Sequence, residues 1–150
     1  LGAVPIAEAE SSLGTVLNAA GKWPVVHCCA ADPPFELVRA AGASAVSCDV
    51  GVLEEAGFDE LAVAVDAGLA LWPGVVPALK PPVPPSDSEL ADRLRRLFGR
   101  LDQDPARTAA STVVTPACGL AGAGGQWARA AYALSVRTGR AFADAVGADR

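Results

Sequence analysis

Apolar positions along this chain follow two rhythms, a helical one and one of short unbroken runs, and the two alternate. From Pro5 to Ala20 the spacing of Ile6, Ala9, Leu13, Val16 and Leu17 puts one apolar stripe on a helix that Gly21 stops. Trp23-Pro-Val-Val-His-Cys-Cys29 is a short β-branched run and predicts a buried strand. Asp32-Pro33 reads as an N-cap and first helical residue for a helix that presents Phe35 and Val38 and ends before Gly42. Ala45 to Val50 is a second strand, and Phe58 to Ala67 a helix turning Leu61, Val65 and Ala62 inward before Gly68. Leu69 to Val76 is a third strand, interrupted at Pro73-Gly74.

Lys80 to Pro85 is a stiff, proline-rich loop rather than a domain linker, because the alternation resumes beyond it. Ser86 and Glu89 form a capping box at the start of a helix carrying Leu90, Leu94, Leu97 and Phe98. Ser111 to Thr115 is the fourth strand. A glycine-rich turn, Gly119 to Gly125, leads into a last helix to Val146 with Trp127, Ala131, Leu134, Ala141 and Ala145 facing in.

A helix followed by four strand-helix units predicts an α/β fold, a parallel sheet covered by helices with its strands in sequential order. Sequential order suits a barrel better than an open doubly wound sheet, in which the order reverses. Four units are half of a (β/α)8 barrel, which typically needs about 250 residues. The chain has 150 residues, starts at Leu1 and contains no Met. The expectation is therefore a half-barrel over residues 1–150, with the rest of the barrel N-terminal to Leu1.

Composition narrows the function classes. The chain is 51% hydrophobic and 19% charged with mean hydropathy +0.31, which excludes general disorder. Its net charge of -5 shows no basic footprint for nucleic acid. Apolar runs such as Gly74–Leu79 fall far short of the roughly 18 residues of a membrane span. Glu8 and Glu10 interrupt any signal peptide, so a soluble, cytoplasmic protein is expected. In that setting Cys28, Cys29, Cys48 and Cys118 read as free thiols or metal ligands, not disulfides.

In parallel α/β folds, functional side chains gather at the C-terminal ends of strands. His27 and Cys29 are two apart and share a face, with Cys28 turned away. Asp49 ends the second strand with Cys48 on the opposite face, and Cys118 follows the fourth. One imidazole, two thiolates and a carboxylate suit Zn2+. His27, Cys29 and Cys118 would be the firm ligands, and Asp49 either a displaceable fourth or a residue steadying another ligand. A lone strand His and buried Cys are more often core residues, but the co-location at strand ends favours the metal reading. Gly119–Gly125 lacks the spacing and lysine of a phosphate-binding loop. Arg93, Arg95, Arg96 and Arg100 read as a solvated helix face, and Glu54, Glu55, Asp59 and Glu60 as an acidic helix start.

Val26-His27-Cys28-Cys29, Ser47-Cys48-Asp49-Val50 and Val114-Thr115-Pro116-Ala117-Cys118-Gly119-Leu120 resemble the C-terminal part of cobalamin-independent methionine synthase, in the superfamily that includes uroporphyrinogen decarboxylase. The resemblance covers nearly the whole chain and implies the second half of a TIM barrel. It implies zinc held by His27, Cys29, Asp49 and Cys118. It implies a methyltransferase in which the metal activates homocysteine for attack on 5-methyltetrahydrofolate, in methionine biosynthesis. Asp49 stands where these enzymes typically carry Glu, Ala117 where an acidic residue is usual, and Gly74–Leu79 lacks the His expected past the third strand. Alternatives are a corrinoid-dependent thiol methyltransferase, a decarboxylase-like relative, or an inactive half-barrel serving only association. Half a barrel leaves sheet edges through which self-association is expected, and the isolated piece is expected to be inactive.

Overall fold

The computed structural model describes residues 4–148. Four parallel strands, β1 (Val25–Cys28), β2 (Ala45–Asp49), β3 (Ala70–Val76) and β4 (Thr115–Pro116), form one sheet in the order β1-β2-β3-β4. Helices α1 (Ile6–Ala19), α2 (Phe35–Ala40), α3 (Glu55–Asp66), α4 (Asp87–Arg100), α5 (Pro105–Thr108) and α6 (Gly125–Ala148) complete the chain. Sequential parallel order with covering helices is the half-barrel architecture.

The core lies between the sheet and its helices. Val46 and Cys48 of β2 and Leu71 and Val75 of β3 point into it, and Ser47 takes the other face of β2. Helix α4 brings Leu90, Leu94, Leu97 and Phe98 to this layer, all buried, as their spacing predicts. Its N-terminus is closed by the expected capping box: Ser86 Oγ accepts from Glu89 N–H while Glu89 Oε2 accepts from Ser86 N–H at 2.8 Å. Phe98 stacks on Phe142 of α6 with ring centroids 5.6 Å apart, locking α4 to α6.

Several local expectations are corrected. Helix α2 starts at Phe35 behind Pro34, not at Asp32-Pro33, because a residue preceding proline is pushed out of the helical region and Pro33 precedes Pro34. Helix α3 starts at Glu55 and buries Ala64, while Ala62 is only half-buried. Strand β3 runs unbroken through Pro73-Gly74. Residues 111–114 are not strand: Ala109–Ser111 is a 3-10 turn, and Ser111 and Thr112 hydroxyls donate to the Thr108 carbonyl. Those local bonds compete with the ladder, and β4 shrinks to Thr115–Pro116. On α6, Trp127, Ala131 and Leu134 are buried as expected, but further along the helix Phe142 and Val146 are the buried residues, with Ala141 and Ala145 only half-buried at their margin. On α1, Leu17 is buried but Ile6 and Val16 of the expected apolar stripe are 74% and 63% exposed.

Candidate metal centre

Strand ends deliver the donors. Cys29 follows β1 directly and Cys118 lies two residues beyond β4. One ligand atom each from His27, Cys29 and Cys118 lies within 4.8 Å of the others. The two sulfurs are 3.2 Å apart, although 89 residues separate them in the chain. In a flat parallel sheet, three strand spacings of about 4.8 Å would hold them roughly 14 Å apart. Curvature of the sheet closes that gap.

The imidazole is aimed by neighbouring strands. His27 Nδ1 and Ser47 Oγ are hydrogen-bonded at 3.2 Å, and Ser47 Oγ and Thr115 Oγ1 at 3.3 Å. Ser47 is the register partner of His27 on β2, and is itself buried. This relay occupies Nδ1, which leaves Nε2 as the ring nitrogen for a metal. A hydrogen bond at the other nitrogen is the usual way a protein sets the tautomer and tilt of a metal-binding histidine. Neither Ser47 nor Thr115 was singled out from the sequence. The signal was there: a hydroxyl on an otherwise apolar strand, on the face opposite Cys48.

Electrostatics separate Cys29 from Cys48. Cys29 is exposed, and the Cys118 hydrogen bond, then the charge of Cys118, hold its thiol above the ordinary value. Cys48 is buried in the core, which pushes its thiol up to about 12 with smaller contributions from Cys28 and Asp49. The core face therefore carries an inert thiol, and the opposite face the paired, accessible ones.

Asp49 is not in this trio. It ends β2, and its Oδ1 accepts from Gly51 N–H at 2.9 Å. The donor set itself fits a thiophilic divalent ion. Zinc bonds of about 2.0–2.3 Å in a tetrahedron place donor atoms roughly 3.5–3.8 Å apart, so the sulfurs need to separate by only about half an ångström. Exposure of His27 and Cys29 leaves an approach for a further ligand.

Gly74 permits the convergence. A Cβ there would lie 2.6 Å from the Cys48 carbonyl oxygen, 2.8 Å from Ala117 Cα and 3.1 Å from the Pro116 carbonyl oxygen. Only glycine lets the β4 turn bearing Cys118 sit this close to β2 and β3.

The glycine-rich stretch forms a tight turn into α6, with Ala123 N–H donating to the Leu120 carbonyl. Arg93, Arg96 and Arg100 are exposed, as expected of a solvated face, but all three also line a cavity beside the strand ends. Among the described residues no helix is long and apolar enough to cross a membrane.

Against known proteins, residues 7–140 match the family described as cobalamin-independent synthase, catalytic domain. No curated protein matches the chain.

Proposed function

Since this chain belongs to the cobalamin-independent synthase catalytic-domain family, we propose that it forms the zinc-binding, thiol-activating half of a methionine-synthase-type methyltransferase. The observation that carries this reading is the meeting of His27, Cys29 and Cys118 at the carboxyl ends of the first and last strands. Homocysteine would be the thiol and 5-methyltetrahydrofolate the methyl donor, by family membership.

In this reading His27 binds through Nε2, with Ser47 and Thr115 fixing its ring. Cys29 and Cys118 would hold the metal as thiolates, their protons released to solvent, and their two negative charges would keep the site electron-rich. Zinc in such a set supplies a Lewis-acidic charge that favours the thiolate of an incoming thiol. Asp49 would be the displaceable fourth donor, releasing Gly51 to reach the site. The exposure of Cys29 supports access by a substrate sulfur.

We place the rest of the barrel before Leu1. Two observations support a missing complement: among the described residues β1 and β4 have unpaired edges, and Ile6 and Val16 on α1 are exposed. Until such a complement is present, concentration-dependent self-association is the expected behaviour, read by sedimentation.

Metal content tests the central claim. The purified chain should hold one zinc, and cobalt substitution should give sulfur-to-metal charge-transfer absorption. Cys118→Ser and His27→Ala should weaken retention strongly, while Cys48→Ser should leave the metal in place. A natively folded chain that takes up no zinc, or a Cys118→Ser variant with undiminished affinity, overturns the assignment.

A further inference from the structure

The cavity beside the strand ends lies outside the cysteine-histidine trio. Its volume is about 500 Å³, and its walls include Arg93, Arg96, Leu97 and Arg100 of α4, Phe58 of α3 and Asp49. None of His27, Cys29 and Cys118 lines it. In a chain of net charge -5, three guanidinium groups around one hollow reverse the local sign.

The three arginines are not equivalent. Arg100 is already engaged: it pairs with Glu55, and its guanidinium carbon sits 3.6 Å from the Phe58 ring centroid. This stacks the ring and the cation into one fixed wall. Arg93 and Arg96 make no ion pair among the described residues, although Arg93 lies near enough to Glu89 to help hold that carboxyl below its usual range. Glu89 Oε2 accepts from the backbone N–H and the hydroxyl of Ser86 at the cap. Asp49, the one carboxylate in the hollow, has Oδ1 committed to Gly51 N–H. Two guanidinium groups spaced one helical turn apart are thus left without a carboxylate, above a floor that Phe58 and Leu97 make apolar.

We infer that this hollow is a binding site for a small organic phosphate monoester with an apolar body. A phosphate monoester carries close to two negative charges at neutral pH, matching the two unpaired arginines, and guanidinium groups grip phosphate oxygens bidentately. The apolar body packs on Phe58 and Leu97. No residue of the cysteine-histidine trio contributes to the hollow; Asp49 is the one residue it shares with the proposed metal site, and in the metal-free chain its Oδ1 stays on Gly51 N–H.

Phenyl phosphate and inorganic phosphate are the probes, titrated into the chain by calorimetry at low and at raised salt. Phenyl phosphate should bind several-fold more tightly than inorganic phosphate, and its binding should weaken with salt. In the double variant Arg93→Gln, Arg96→Gln its affinity should fall at least tenfold. Both side chains are exposed, so the variant should keep its fold, and its circular dichroism and zinc content should match the parent. Arg129→Gln, on exposed α6 surface away from the hollow, should bind as the parent does. Equal affinity in the double variant and the parent, equal affinity for the two probes, or no binding of phenyl phosphate to the folded chain would each overturn the proposal.

Discussion

Replacing Gly74 by Ala tests how the curvature of the sheet and the geometry of the metal centre depend on each other. The added methyl would sit 2.6 Å from the Cys48 carbonyl oxygen and 2.8 Å from Ala117 Cα, where ordinary contact begins near 3.4 Å. Relief requires opening of about 0.8 Å on the β2 side and about 0.6 Å on the Ala117 side. All three obstructing atoms are backbone, so no rotamer change can absorb the strain. Overpacking of this kind typically costs about 1–3 kcal/mol. The strand that can yield is β4, which is only two residues long and lies at the sheet edge. Yielding there carries Cys118 away from Cys29. Urea denaturation of the metal-free chain should therefore show a loss of about 1–3 kcal/mol, and competition against a chelator should show weaker zinc binding by the folded protein. An alanine variant with parental stability and parental zinc affinity would refute the argument that Gly74 sets the approach of β4.

Three further outcomes are expected. Ser86→Ala removes the hydroxyl that caps α4 and should cost about 1 kcal/mol in chemical denaturation; the Glu89 carboxyl is held below its usual range by the Ser86 backbone and side-chain hydrogen bonds, so its contribution is present above the ordinary carboxylate pKa and fades as pH falls through the lowered one. A parent-variant stability gap that does not narrow on acidification would count against that linkage. In alkylation of the native metal-free chain followed by mass mapping, Cys29 and Cys118 should react while Cys48, pushed up to about 12 by burial, stays unmodified; rapid labelling of Cys48 would show that the core opens readily. Zinc affinity should rise with pH by up to about 100-fold per unit below the thiol pKa values, since Cys29 and Cys118 must each release a proton on loading, and a flat profile by chelator competition would mean that the thiols do not both bind.

The parts of this molecule legible in the sequence are those set by short-range rules. Helix α4 is the clearest case, because Ser86-x-x-Glu89 and the Leu90, Leu94, Leu97 spacing each identify it independently. His27 and Cys29 could be placed on one face by counting, and the chain motif around Cys118 supplied the third donor. What could not be read was set by competition or by tertiary closeness. Pro34 overrode the Asp32-Pro33 start, and the hydroxyls of Ser111 and Thr112 drew the chain back to Thr108 where β-branched residues suggested a strand. The stripe on α1 was readable, but its exposure was not, because periodicity says which residues share a face and not whether anything covers it. The arginines of α4 were readable as exposed; that three of them border a hollow depends on the neighbouring strand ends.

Curvature is the property that joins these observations. Ser47 on β2 meets Thr115 on β4 at 3.3 Å although β3 lies between their strands, where a flat sheet would place two strand spacings of about 4.8 Å each. Such a contact needs a concave face and a narrow middle strand at that level. On the β4 side Gly74 provides the second condition, since it pairs with Thr115 and contributes no side chain, while Ser47 itself is in register with Trp72. The same bend brings the Cys29 and Cys118 sulfurs together and lets one hydroxyl relay steady His27 from two strands. Sequential strand order alone would be compatible with an open sheet; these side-chain contacts across an intervening strand require the curl of a barrel wall. The donor trio is thus a product of barrel curvature, and its geometry reports on whether that curvature is maintained.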